Sequence, residues 1–279
     1  MRHASEQGAW EMARATPPPS LRPYVREYMG WWEYVSVPLC RREVPTEIVP
    51  VIINFGAPVR LYEAADRSRW TDYGSFTTGV YDTFVLVETA GAAGGLQINL
   101  TILGARLFLG QPLRDLMNRA IALDDLFGAA AGRLEDELQS AADWGARFDI
   151  VDRELLARIQ GTRGPSADVR WAVRRLVQTN GRVTIGTLLH EVRCSQKHLV
   201  SQFHEQLGVT PKTLARVLRF GCAIEQIKAG ATSLTDLAIG CGYYDQSHFD
   251  RDFRHFAGTT PTELIRSTLA ESGGFSADR

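Results

Sequence analysis

Cysteine is scarce in this chain of 279 residues: Cys40, Cys194, Cys222 and Cys241 are scattered without C-x-x-C spacing. Neither a zinc site nor a disulfide frame follows from such spacing, and the four read as reduced fillers. Histidine is scarce where a metal centre would need it, because only His3 lies before residue 160. A histidine-built metal site in the first half is therefore not expected. No GxSxG elbow, GxxxxGK[ST] loop, HExxH pair or strand-borne Rossmann glycine pattern occurs. The carboxylates of EDELQS and DRELL fall on helix faces as solvated charge, not as a facing pair. No catalytic residue, metal or cofactor is expected, and the chain does not read as an enzyme. No apolar run approaches a membrane span, and MRHASEQGAWEMARATPPPS has no signal-peptide core, so a soluble, cytoplasmic chain with no membrane partner is expected.

Net charge is also nearly absent, at −1, but it is unevenly spread. Residues 166–268 carry about +4 and the remainder about −5. Any attraction to a polyanion is local and modest.

What is present is a repeated pattern near the end. In SLTDLAIGCGYYDQSHFDRDFRHFAGTTPTEL, Ser233 to Leu264, the apolar residues Leu234, Leu237, Ala238 and Cys241 recur at helical spacing. Gly240 and Gly242 close that helix, and a second one opens after its cap, Asp245. Phe249, Phe253 and Phe256 share one face of the second helix, leaving Gln246, Ser247, Asp250, Arg251 and Arg254 on the other. On this stretch alone, a solvated face on a helical hairpin competes with a helix-turn-helix that reads the major groove. A gapless second copy favours the latter: SQKHLVSQF at Ser195 aligns with DQSHFDRDF at Asp245, a period of about 50 residues. An apolar helix with Ile185, Leu188, Leu189 and Val192 precedes this copy as well. TPKTLARVLRFGCAIEQIKAG, Thr210 to Gly230, reads as a linker helix with an N-terminal Thr-Pro and a closing Gly.

Two such units, a long connecting helix and GYYDQSHFDRDF followed by TPTEL resemble the DNA-binding domain of the AraC/XylS family of transcriptional regulators. The likeness covers about Ser166 to Thr268. It implies two recognition helices in successive major-groove segments of double-stranded DNA, about one helical turn apart. The family's base-reading positions fall on Gln196, Lys197, Val200 and Ser201 in the first helix and on Gln246, Ser247 and Arg251 in the second, with His248 beside them. The resemblance also implies RNA polymerase as a partner and an N-terminal domain that binds an effector, dimerises or both, hence a small-molecule effector and a homodimer as further partners; activator is the expected role, with repressor left open. The sequence departs from the family where Arg193 stands in place of the usual turn Gly, and where Ser201 and Val200 replace stronger hydrogen-bonding residues. An alkyl-transfer DNA-repair protein with the same kind of domain needs an N-terminal cysteine cluster, and Cys40 stands alone there. The alternative reading is an enzyme or small-molecule sensor whose DNA-binding domain is secondary.

The expected fold is α+β: a β-rich, sensor-type N-terminal module with following helices, then an all-α C-terminal domain of two helix-turn-helix units joined by a linker helix. Residues 1–20, ending in Pro17, Pro18 and Pro19, read as a lead-in without structure, 21–159 as the regulatory domain, 160–165 (QGTRGP) as linker, 166–268 as the DNA-binding domain and 269–279 as a tail. Strands are expected in EIVPVIINFGAPVRLYEA, in TFVLVETAG and in GLQINLTILG, with the intervening GAAGG, Gly91 to Gly95, as a hairpin turn. Helices are expected in LRDLMNRAIALDDLF, RLEDELQSAADW and VDRELLARI. Trp31, Trp32, Tyr62 and Tyr81 are the candidate effector-binding residues, with core packing as the competing reading for each.

Overall fold

The computed structural model describes residues 2–5, 8–63, 66–231, 233–268 and 274–277. Its N-terminal half is built on a long ribbon. Strands β1 (Arg2–Ser5), β2 (Gly8–Ala15), β3 (Val25–Glu43), β4 (Ile48–Asn54), β5 (Val59–Glu63), β6 (Asp66–Tyr73), β7 (Phe76–Thr78) and β8 (Val85–Thr101) precede the first helix. β3 and β8 pair antiparallel from Val25↔Leu100 to Glu43↔Val85. β2 and β4 flank one end of the ribbon, and the β5–β6 hairpin flanks the other. The register slips between Val35 and Leu39, where Pro38 has no N–H to give to a ladder.

Two expectations fail in this sheet. GAAGG is not a turn: Gly91 to Gly95 run inside β8, opposite Val35 to Trp31. The reason is steric, because a Cβ on Gly94 would lie 2.0 Å from the Trp32 ring and one on Gly95 would lie 2.8 Å from that of Trp31. The glycines are there to let two indoles lie across the strand. The lead-in, too, is paired: β2 lies along β3 from Gly8↔Val35 to Ala15↔Tyr28. Its stability comes from a ladder with a distant partner, which local composition does not report.

Helix α1 (Ile102–Leu109) follows β8 directly, capped by Thr101, and is buried on nearly every side. Only part of the helix expected from Leu113 to Phe127 forms: a turn around Asn118 leads to β9 (Ala120–Ala122), which pairs with β7, and then to the short α2 (Leu123–Phe127). Helices α3 (Ala129–Ser140) and α4 (Trp144–Gly161) complete this half. Phe148 of α4 stacks on Tyr28 at 5.8 Å, and the Tyr28 hydroxyl donates to Asp152 at 2.5 Å.

The C-terminal half is helical, with α5 (Ala167–Gln178), α6 (Ile185–Val192), α7 (Gln196–Leu207), α8 (Pro211–Lys228), α9 (Leu234–Gly240), α10 (Gln246–Ala257) and α11 (Pro261–Arg266). Two cores meet on α8. Leu214, Ala215 and Leu218 pack with α5 to α7, whereas Val217, Phe220, Ala223, Ile224 and Ile227 pack with α9 to α11. Each fully buried side chain of this size contributes roughly 1.5–3 kcal/mol, as an upper estimate, so α8 is tied firmly to both units. The first of these cores is continuous with that of the sheet, since Leu199, Phe203 and Leu207 share it with Val49, Ile98 and Leu113.

Of the expected tail, 269–279, only residues 274–277 are among those described, and they are anchored. β10 (Phe275–Ser276) pairs with Arg42 and Arg41 of β3, the Ala277 amide donates to the Cys40 carbonyl at 3.1 Å, and Phe275 is buried in the second core. The apolar Phe275 and Ala277 between polar neighbours are the signal for this return.

Candidate nucleic-acid interface

The two helix pairs, α6–α7 and α9–α10, repeat each other down to their caps. Ser195 accepts from the His198 amide at 3.3 Å, and Asp245 accepts from the His248 amide at 2.7 Å. Thr184 and Ser233 cap the leading helices in the same way. Such caps satisfy amides that would otherwise lack partners and contribute about 1 kcal/mol each. α8 opens with Thr210 as cap and Pro211 in its first turn. Its 18 residues correspond to a rod of about 27 Å. α11 carries a full capping box in which Thr259 and Thr260 hold the Glu263 carboxyl down at about 2.

The turn of the first pair is strained where Arg193 stands in place of the usual Gly. Arg193 sits in the left-handed region at φ 57° and ψ 42°, while its amide closes the helix on the Leu189 carbonyl. Arg193→Gly is expected to raise stability by up to about 1 kcal/mol, and Arg193→Val to lower it by about 1–2 kcal/mol. Urea denaturation of the two variants checks this; equal effects would show that the turn relaxes around any side chain.

Burial of Leu199, Phe203 and Leu207 in α7, and of Phe249, Phe253 and Phe256 in α10, turns the opposite faces outward. Gln196, Lys197 and Ser201 are exposed on α7, with Val200 half-buried among them. Gln246, Ser247 and Arg251 are exposed on α10. His248 differs from the rest of the set. Its ring meets Tyr243 edge-on at 5.3 Å and its Nε2 lies 3.8 Å from Asp252, so it is half turned into the protein.

Beside this face lies a groove of about 590 Å³ between α8 and α10, lined by Lys212, Arg216, Arg219, His248, Arg251 and His255, with Asp252 at its floor. The sequence reading missed most of this set. Asp252 is buried and its Oδ1 accepts from Arg216 Nε at 3.1 Å and Nη2 at 2.8 Å, while the same guanidinium lies 4.9 Å from the Phe256 ring. Arg219, whose pKa burial lowers, donates to the Gly181 carbonyl at 2.7 Å and lies 5.8 Å from the Tyr243 ring. A readable signal did exist, because Asp252 falls among the phenylalanines of the buried face and an aspartate there requires a cationic partner.

Two contacts lock the units to each other: Arg219 reaches from α8 to the α5–α6 turn at Gly181, and Arg182 of that turn donates to the Gly240 carbonyl at the end of α9. The N-terminal half then grips α7 and α10 at equivalent points. Gly208 caps α7 at φ 74°, where a Cβ would lie 2.4 Å from the Leu113 carbonyl oxygen. Gly258 caps α10 at φ 65°, where a Cβ would lie 2.1 Å from the Phe84 ring. Charged groups reinforce each point. Arg114 Nη1 donates to both carboxylate oxygens of Glu205 at 2.9 and 2.8 Å, and Arg42 Nη1 donates to the Ala257 carbonyl at 2.6 Å.

The four aromatic residues singled out for an effector do not come together. Trp31 and Trp32 are consecutive on β3 and so face opposite sides of the sheet. Tyr62 donates to Glu88 and lies against Trp70 at 6.2 Å. Tyr81 packs instead with the cluster of Val59, Phe76 and Val85, where burial pushes its hydroxyl up to about 12.

Comparison with known proteins agrees with the repeated geometry. A family model described as a helix-turn-helix domain, of AraC type, matches residues 188–267. The uncharacterized HTH-type transcriptional regulator YidL of Escherichia coli K12 is 24% identical over 116 residues, which are 42% of this chain and 35% of that protein. The HTH-type transcriptional activator RhaS of E. coli O139:H28 is 33% identical over 70 residues, a quarter of each chain. The chain thus spans about a third and a quarter of the length of these two relatives. Among solved structures, ToxT from Vibrio cholerae is 12% identical with a TM-score of 0.49, over 94% of this chain and 98% of its own.

Proposed function

We propose, for a chain whose C-terminal part is an AraC-type helix-turn-helix domain, that the whole protein is a sequence-specific DNA-binding regulator of transcription. The observation that carries this reading is the pairing of α7 and α10: two capped helices with polar faces outward, held on one linker helix and cross-tied by Arg182 and Arg219. The second helix supplies most of the hydrogen-bonded specificity, since Gln246 and Arg251 can each address a purine edge in two-point fashion, whereas Val200 offers only apolar contact. Lys212, Arg216 and His255, in the groove beside it, are placed to meet phosphates, which position the protein without reading sequence. A footprint on DNA upstream of its own gene tests the reading: two protected major-groove segments about one turn apart on one face are expected, and a single segment or none overturns it.

Arg251→Ala is expected to weaken binding to the footprinted site by about 1–3 kcal/mol and to relax preference at one base pair, with a smaller loss for Val200→Ala. Gel shifts against a set of single-base variants distinguish the roles. Uniform weakening across all sequences would make Arg251 a phosphate contact.

Control by the N-terminal half is part of the proposal, and the two grip points support it. Any shift of the N-terminal half that displaces Leu113 or Phe84 moves the C-terminal ends of α7 and α10, and with them the angle between the reading faces. Arg42→Ala combined with Arg114→Ala is expected to change DNA affinity severalfold, with little effect on stability from the solvent-screened pair Arg114–Glu205. Unchanged affinity in the double variant would separate the sheet from the control of binding. Activation through RNA polymerase and response to a small molecule would act through the same grip. Trp32, Tyr34 and Val37 leave apolar surface exposed on β3, which supports a homodimer formed through this half; sedimentation of the full chain reads its mass directly.

A further inference from the structure

Within the second helix-turn-helix unit two thiols face each other. Cys222, half-buried on α8, and Cys241, fully buried as the residue closing α9, have their sulfur atoms 2.7 Å apart. A covalent disulfide spans about 2.05 Å, so closing this gap requires a shift of well under 1 Å. The amide of Gln226, one turn along α8, points at both sulfurs, at 3.4 Å from Cys222 and 3.2 Å from Cys241. Arg182 places its cation beside the same turn, on the Gly240 carbonyl. The Gln226 amide thus holds the two sulfurs in one place. Cys40 and Cys194 lie in other clusters, away from this pair.

We infer that Cys222 and Cys241 form an oxidation site for hydroperoxides, in which a reversible disulfide fixes the second reading unit to the linker helix. The inference rests on the DNA-binding reading only for its consequence, not for its chemistry. The Cys222 thiolate, on the more accessible side, attacks the peroxide oxygen and releases water, becoming a sulfenic acid. The Cys241 thiol then displaces water from that sulfur to give the disulfide. Overall, two thiols and one hydrogen peroxide give one disulfide and two waters, with the thiols oxidised and the peroxide reduced. Cys241 is the resolving partner by position, because it is fully buried and its sulfur lies 2.7 Å from that of Cys222. The bond encloses the end of α8, the turn after it and α9, and Cys241 stands four residues before the cap of the recognition helix. Its mechanical effect falls on the α9–α10 turn.

The test uses the full chain and hydrogen peroxide as the probe. Peptide mapping after treatment is expected to show a Cys222–Cys241 link, loss of two titratable thiols and full reversal by dithiothreitol. The melting midpoint of the oxidised protein is expected to rise by roughly 5–10 °C, in line with a short closed loop. Cys222→Ser and Cys241→Ser should each abolish both effects. Sulfinic acid at Cys222 without a link, or links that join other cysteines or other copies, would overturn the site. A link that leaves both the melting midpoint and the hydrogen exchange of α9 unchanged would overturn its mechanical role. Gel shifts of oxidised and reduced protein on the footprinted DNA then separate the two readings: a link on a protein that binds no DNA would leave the chemistry standing and sink the regulator.

Discussion

Replacing Phe253 by alanine is expected to cost about 3–5 kcal/mol of stability, the largest loss foreseen for any single truncation in the second unit. Phe253 is fully buried, meets Phe220 of the linker helix edge-on at 5.1 Å and lies 5.2 Å from Phe249. Phe220 in turn contacts Phe256 at 5.1 Å, so four rings share one volume at the junction of α8 and α10. Removing one leaves a cavity that neighbours held by the helix backbone cannot fill, and α10 loses its seat on the linker. Urea denaturation followed by circular dichroism measures the loss. If stability stays unchanged while DNA binding disappears, the inward and outward faces of α10 have been assigned the wrong way round. The equivalent change in the first unit, Phe203→Ala, should cost as much but disturb the sheet as well, because Phe203 belongs to the core that continues under β4 and β8.

The second unit was legible in the sequence because every local signal agrees there. Asp245 caps, three phenylalanines mark one face at a period near 3.6, and glycines punctuate both ends, so propensity, pattern and turn chemistry point to the same helix. The repeat at Ser195 then made α7, α10 and their linker recoverable together. The sheet was less legible, since its decisive contacts are non-local. Gly91 to Gly95 look like a turn until Trp31 and Trp32 are known to lie across them, and β2 carries helix-compatible residues that become a strand only when β3 is alongside. α1 was missed for a different reason: being buried on almost all sides, it has no polar face, and its apolar residues continue the alternation of β8 without a break. The groove was half legible. Arg251 was read from its exposed position, but Arg216 and Arg219 acquire meaning only once α8 is packed against α10.

Arg216→Met is expected to destabilise the second unit by about 3–5 kcal/mol, although Arg216 lies in a groove open to water. The cost arises on the other side of the pair. Asp252 has 5% of its side chain exposed, its Oδ1 takes both bonds from Arg216, and the ring nitrogen of His248 is too distant from Oδ2, at 3.8 Å, for a hydrogen bond. Without the guanidinium, a carboxylate remains buried with no comparable partner, which is the costly way to break such a pair. The reverse change, Asp252→Leu, leaves Arg216 with 27% of its side chain exposed and free to turn to water, so it should cost less. Combining the two removes both charges and should recover part of the stability lost by Arg216→Met alone, giving a coupling energy of about 1–3 kcal/mol in a double-mutant cycle. DNA binding should not follow this recovery. The double variant lacks a cation beside Lys212 and Arg251 in the groove, so its affinity should stay below that of the parent protein, with a shallower dependence on salt. Urea denaturation and salt-dependent gel shifts on the four proteins measure both quantities. Recovery of affinity together with stability would show that Arg216 serves the fold alone, and a cost below 1 kcal/mol for Arg216→Met would show that Asp252 finds another partner.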